Sequence, residues 1–160
     1  MSKVVENYVL KEEIGKGTYC QVKKGKHIST NELVAVKIFK VDEFLQNPEI
    51  QESITLELGA LRSIESPYIL KHLRYLRTSN NVYEVYKYYE NGSLDQRLIK
   101  EGTLNQREAI ELLQDMTQAL EVLNKNCIIH RAISPGNILE GIECFCLADF
   151  GHLKMLNNQY

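Results

Sequence analysis

The stretch His130-Arg131-Ala132-Ile133-Ser134-Pro135-Gly136-Asn137, followed twelve residues after Asn137 by Asp149-Phe150-Gly151, is the most specific signal in the sequence. An amide oxygen and a carboxylate arriving on adjacent loops supply hard oxygen donors, the chemistry that holds a divalent cation. Either motif alone reads as a polar turn. The rest of the chain decides between two unrelated turns and one site.

Upstream, Leu33 to Phe39 (Leu-Val-Ala-Val-Lys-Ile-Phe) is the clearest β-branched run. On a strand, Ala35 and Lys37 face one way while Val34, Val36 and Ile38 face the other. One face is therefore a packed core, and the other sets a small residue beside a charge. An ammonium buried there needs a partner. Glu57 can supply it, because it falls on the same helical side as Ile54 and Leu61. The strand Tyr8 to Ile14 precedes a turn, Gly15-Lys16-Gly17-Thr18-Tyr19, which returns into a second strand, Cys20 to Ile28. Return into a strand argues against a dinucleotide-binding turn or a Walker loop, both of which open a helix. A glycine-rich hairpin can instead lay its N–H groups over phosphates.

Further along, Ile50, Ile54, Leu58 and Leu61 recur at helical spacing from Pro48 to Glu65, and Ser66-Pro67 closes that helix. Strand-like runs follow at Ile69 to Leu76 and Val82 to Tyr88. Asn91-Gly92 breaks the chain between a strand-rich and a helix-rich half. A short helix over Ser93 to Lys100 precedes a long one, which begins with Asn105 and Glu108 at capping-box spacing. That helix carries the stripe Ala109, Leu112, Leu113, Met116, Ala119, Leu120 and Leu123.

Composition narrows the classes. In 160 residues, 44% hydrophobic and 25% charged side chains are globular values that leave room for one ordinary domain. Nineteen basic against twenty-one acidic groups give a net charge of −2, no electrostatic reason to bind nucleic acid or an anionic membrane. The start turns polar too soon for a secretory signal, Met1-Ser2 is no myristoylation start, and Asn157-Asn158-Gln159-Tyr160 is no prenylation box. No apolar run is long enough to span a bilayer. Cys20, Cys127, Cys144 and Cys146 read as reduced thiols. Cys144 and Cys146 read as alternate positions of a strand ahead of a metal site with His130 or His152. The expected localisation is cytoplasmic, with nothing separating it from nuclear.

The ordered set Gly15-x-Gly17-x-x-Cys20-x-Val22, Val34-Ala35-Val36-Lys37, Glu57, His130-Arg131-Ala132…Asn137 and Asp149-Phe150-Gly151 resembles the eukaryotic protein kinases. Tyr86-Lys87-Tyr88-Tyr89-Glu90-Asn91-Gly92 resembles their interlobe hinge. The likeness runs from about Asn7 to Lys154. It implies an α+β protein kinase-like fold: a five-stranded antiparallel N-lobe with one helix, and an incomplete, mostly helical C-lobe. One kinase-like domain over 1–160 is implied, with N-lobe and hinge at 7–89 and a partial C-lobe at 90–160. It also implies ATP and Mg2+ as cofactors. Ile14, Gly15, Gly17, Val22 and Ala35 would enclose the nucleotide, Lys37 braced by Glu57 would meet the α- and β-phosphates, and backbone groups of Lys87 and Tyr89 would hold the adenine edge. Tyr86 would be the gatekeeper, and Asn137 and Asp149 the metal ligands. Leu61, His130 and Phe150 match the apolar spine, whose fourth member falls on His72 or on Leu73.

Four departures alter the functional expectation. Ala132 stands where the family carries its proton-accepting aspartate, and Ser134 where serine/threonine kinases usually carry a lysine. Cys20 replaces a third glycine. The chain ends nine residues after Gly151, before the remaining activation segment and later helices. The expected function is a catalytically impaired, pseudokinase-like ATP-binding domain. One alternative is an active serine/threonine-type kinase, should the gene product continue beyond Tyr160. The other is a non-catalytic module regulating another kinase or signalling protein.

Overall fold

The computed structural model describes residues 3–156, so the termini read for lipidation signals lie outside it. Contacts divide the chain into two compact units, Met1–Glu52 with His72–Tyr88, and Ser53–Lys71 with Tyr89–Tyr160.

The first unit is built on one antiparallel sheet. Its strands are β1 (Lys3–Val5), β2 (Tyr8–Lys16), β3 (Cys20–His27), β4 (Leu33–Lys40), β5 (His72–Arg77) and β6 (Asn81–Lys87), in the spatial order β1-β2-β3-β4-β6-β5. The expected five strands are therefore six. The addition, β1, is a three-residue strand paired with β2 (Val5 opposite Tyr8) across a tight turn where Glu6 adopts φ 47°. Such a run is too short to show a period of two. A second correction concerns the glycine-rich turn. Strand β2 continues through Gly15, which pairs with Val22, so only Gly17 to Tyr19 turns.

Strand β4 alternates as expected. Val34, Val36 and Ile38 are buried with Val5, Tyr8, Leu10, Leu76, Tyr83 and Val85 in one apolar layer, while Ala35 and Lys37 lie on the opposite face. Directly after β4 comes a helix the sequence did not announce, α1 (Val41–Gln46). Its N-terminus has no side-chain cap, and Val41 and Phe44 anchor it. Helix α2 (Pro48–Leu61) buries Ile50, Ile54, Glu57, Ala60 and Leu61 and stops four residues short of the expected Glu65.

In the second unit, Ile69 and Leu70 do not extend β5. They bond instead with Leu147: Leu70 N–H donates to the Leu147 carbonyl at 2.9 Å, and Leu147 N–H donates to the Tyr68 carbonyl at 2.8 Å. Helices α3 (Leu94–Glu101) and α4 (Gln106–Lys125) follow, each opened by a reciprocal capping box, Ser93 with Gln96 and Asn105 with Glu108. Gly92, just before the first cap, has φ 76°, and a Cβ there would meet the Gln96 side chain. Three short strands alternate with loops: β7 (Ile128–Ile129), β8 (Ile138–Glu140) and β9 (Phe145–Leu147). A final strand, β10 (Lys154–Met155), pairs with β7, and β8 pairs with β9.

Arg97 fastens this unit. Its guanidinium reaches Glu101 at 3.0 Å, Glu140 at 2.9 Å and Glu108, so one cation links α3, α4 and β8. The Asn105 backbone N–H, with Arg97 beside it, holds the Glu108 carboxyl below the usual range. Among the described residues, no helix is long and apolar enough to cross a membrane.

Candidate functional site

Sheet register assembles the first group of candidates. In antiparallel pairing, residues directly opposite share a face. One row across the sheet reads Gly15, Val22, Lys37, Glu84, Tyr75, and the adjacent row on the same face reads Lys24, Ala35, Tyr86, His72. Gly15, Val22, Ala35 and Lys37 are thus brought together on one face. A Cβ on Gly15 would touch the Val22 side chain at 3.7 Å. One on Gly17 would crowd the Cys20 sulfur at 3.0 Å, where the Gly17 N–H also donates to the Cys20 carbonyl. Ile14 is exposed on β2. Lys87, at the end of β6, lies opposite Val34 with its side chain in solvent.

Lys37 has surroundings the sequence reading missed. Its ammonium lies 5.3 Å from the centroid of the Tyr86 ring, a cation–π distance. Directly opposite it stands Glu84, a fully buried carboxylate. Opposite charges facing one another across a sheet attract. The available signal was one acid in the apolar run Val82 to Tyr86, whose partner is set by register alone.

His72 and Leu73 differ in their surroundings on this sheet. His72 pairs with Tyr86 and meets its ring edge-on at 5.2 Å, whereas Leu73 sits at a register irregularity and is 39% exposed. The Nε2 of His72 is buried with no hydrogen-bond partner among the described residues. Burial holds this imidazole below its ordinary pKa, outweighing a backbone hydrogen bond with Arg74 and reinforced by the Lys37 charge.

The second unit gathers the metal-ligand candidates. Strands β8 and β9 form a hairpin with Ile138 opposite Leu147, so Asn137 and Asp149 emerge at the same end. The Ala148 N–H donates to the Asn137 carbonyl at 2.8 Å, locking the two loops one residue from Asp149. Asn137 Nδ2 donates to the Ala132 carbonyl at 2.8 Å, which fixes the side-chain amide. Asp149 holds the left-handed conformation, φ 63°. An amide oxygen and a carboxylate at one hairpin end fit a hard, oxygen-seeking cation such as Mg2+, which completes its shell with water and phosphate.

Around them the segment from His130 to Asn137 is closely bonded. Ala132 N–H donates to His130 Nδ1 at 3.2 Å, and His130 Nε2 donates to the Ala148 carbonyl at 3.0 Å. Those bonds require the neutral ring, which meets Phe150 edge-on at 4.6 Å. Burial lowers the His130 pKa, with His152 adding to the effect; the Ala148 hydrogen bond and the Asp149 charge oppose it. Arg131, at φ 67°, donates through Nε to the His152 carbonyl at 2.5 Å and through its terminal nitrogen to the Leu153 carbonyl at 3.3 Å. Ser134 precedes the 3-10 turn Pro135–Asn137 and is exposed.

Glu57, on α2, is 2% exposed. Tyr89 packs its ring near Gly141, and burial together with Cys146 and Cys144 drives its phenol well above the usual range.

Both imidazoles titrate lower in the folded chain than their ordinary value of about 6.5. Below that value the unfolded chain binds more protons, so stability is full above it and declines as pH falls through the folded values. Thermal melts should show a lower midpoint at pH 5.5 than at pH 7.5. His72→Leu should shrink that drop and, by removing an unsatisfied buried nitrogen, stabilise the chain at pH 7.5 by about 1 kcal/mol. Equal pH dependence of the two proteins would contradict this.

A model of the protein kinase domain matches residues 8–160. The chain belongs to the protein kinase domain family. It is 30% identical over 156 residues to an Arabidopsis thaliana protein, "SNF1-related protein kinase catalytic subunit alpha KIN12", covering 97% of this chain and 31% of that one. It is likewise 30% identical over 158 residues to "Serine/threonine protein kinase OSK3" of Oryza sativa subsp. indica, covering 98% of this chain and 31% of that one. The kinase chain thus spans about a third of the length of these relatives.

Proposed function

We propose that this kinase domain binds Mg-ATP and transfers phosphate poorly, a pseudokinase-like, serine/threonine-kinase-related role. The observation that carries the reading is the contrast at one end of the β8–β9 hairpin. Asn137 and Asp149 emerge together there as oxygen donors, while the tightly bonded loop beside them presents the Ala132 methyl. A methyl group accepts no proton.

In this reading the backbone of Gly15 and Gly17 covers the phosphates, and Ile14, Val22 and Ala35 enclose adenine. Lys37 meets the α- and β-phosphates, with Glu57 carried over from the family as its counter-charge. Backbone groups of Lys87 and Tyr89 hold the adenine edge, and Asn137 and Asp149 hold Mg2+. When bound, the cation neutralises phosphate charge. We place the N-lobe and hinge at 7–89 and the partial C-lobe at 90–160, assign the chain to the cytoplasm, and expect its partner to be another kinase or signalling protein.

Thermal melts test this. Mg-ATP at a hundredfold excess over Kd stabilises by about 2.7 kcal/mol through linkage, roughly 5–10 °C in midpoint for a chain of this size. Lys37→Met should remove most of that shift. A folded chain that shows no shift at millimolar Mg-ATP refutes the proposal.

A further inference from the structure

Helix α2 reaches the metal-ligand turn through a group that the roles above leave unused. Ser53 Oγ donates to the Gly151 carbonyl at 2.5 Å, joining residues 98 apart in sequence. Ser53 lies one turn before Glu57, on the side of the helix that buries Ile54, Glu57 and Leu61. A Cβ built on Gly151 would lie 3.5 Å from Asp149 Oδ1 and 3.7 Å from Ser53 Oγ. The serine hydroxyl and the aspartate carboxylate therefore flank the same glycine.

Four neighbouring carbonyls are held by groups other than α2. Ala148 is held by His130, Phe150 by the Leu153 N–H, and His152 and Leu153 by Arg131. The Gly151 carbonyl is the point at which α2 takes hold. Asp149 occupies a left-handed conformation, which a non-glycine residue keeps only when its surroundings fix it. Rotating the 151 peptide would swing the backbone that sets the direction of the Asp149 carboxylate.

We propose that Ser53 is a positioning residue, whose hydroxyl fixes the Gly151 peptide and through it the Asp149 carboxylate, coupling helix α2 to divalent-cation binding. The inference rests on the Mg-ATP reading above and deepens it. Serine suits the task because its hydroxyl is a donor on a single-carbon arm, and alanine keeps the helix while deleting the donor. Threonine keeps the donor.

The test is calorimetric titration of ADP with and without Mg2+ into the 160-residue chain and its Ser53→Ala and Ser53→Thr variants. Hydrogen exchange of residues 149–153 is followed in parallel without ligand. Losing one such bond should cut the Mg2+-dependent gain in ADP affinity about fivefold in Ser53→Ala, leave metal-free affinity within about twofold, and speed exchange in the turn. Ser53→Thr should restore both. Unchanged Mg2+ dependence and exchange in Ser53→Ala, beside a wild type that binds Mg-ADP, overturn this inference alone. Equal loss of metal-free and Mg2+-dependent affinity overturns it as well, because that marks general damage. A folded wild type without Mg2+-dependent nucleotide binding overturns both this inference and the reading beneath it.

Discussion

Given Mg-ATP and a generic peptide, the 160-residue chain should transfer phosphate at least a hundredfold, and up to about ten-thousandfold, more slowly than an ordinary protein kinase. That span is the usual contribution of a positioned general base, and ordinary kinases turn over at about 1–100 per second. In the proposed function Ala132 takes the place of the base, and its backbone is held on both sides. Its N–H donates to His130 Nδ1 and its carbonyl accepts from Asn137, so the segment is ordered around a side chain with no titratable atom. Phosphoryl transfer depends mainly on positioning and electrostatics, so a residual rate is compatible with this arrangement. Ala132→Asp should not raise turnover into the ordinary range, because Ser134 still supplies no cation. A radiolabel transfer assay decides, and ordinary turnover in the unaltered chain would defeat the expectation.

Leu123→Ala should destabilise the chain by about 2–5 kcal/mol in urea titrations, while Leu113→Ala changes it by less than about 0.5 kcal/mol. Both residues sit on α4 in what reads as one apolar stripe. Leu123 is 1% exposed and Leu113 67% exposed, and with Ala119 buried and Leu120 open the stripe divides lengthwise. Truncation at Leu123 leaves a cavity, whereas truncation at Leu113 removes atoms already in water. Similar losses at the two sites would show that Leu113 is covered in solution.

That division shows where sequence reading stops. Periodicity reports that a residue is apolar and which way it points; it does not report whether anything lies opposite. It served well where both sides are local. The alternation around Lys37 follows from the pleat, and the capping box at Asn105 and Glu108 from four consecutive residues. The motif ending at Asn137 and the one starting at Asp149 were legible as a pair, and β8 and β9 join them in one hairpin. Length hid other elements. Strand β1 and helix α1 span three and six residues, less than the windows in which a period emerges. Glu84 opposite Lys37 and Ser53 on Gly151 were invisible for another reason: register and tertiary contact create both, between residues that no local pattern connects.

The strand order has a consequence for the chain's behaviour in concentrated solution. Among the described residues the sheet does not close, so β1 and β5 each leave a rim of backbone donors and acceptors that a second molecule could extend. Both rims carry deterrents. Strand β1 is three residues long and bears exposed Lys3; β5 is broken in register after His72 and bears exposed Arg74 and Arg77. Two copies meeting rim to rim would bring cation against cation. That repulsion is screened within about 8 Å at physiological ionic strength and within about 3 Å at 1 M. Added salt, which quiets many charged proteins, should therefore weaken the guard against aggregation at these two strands.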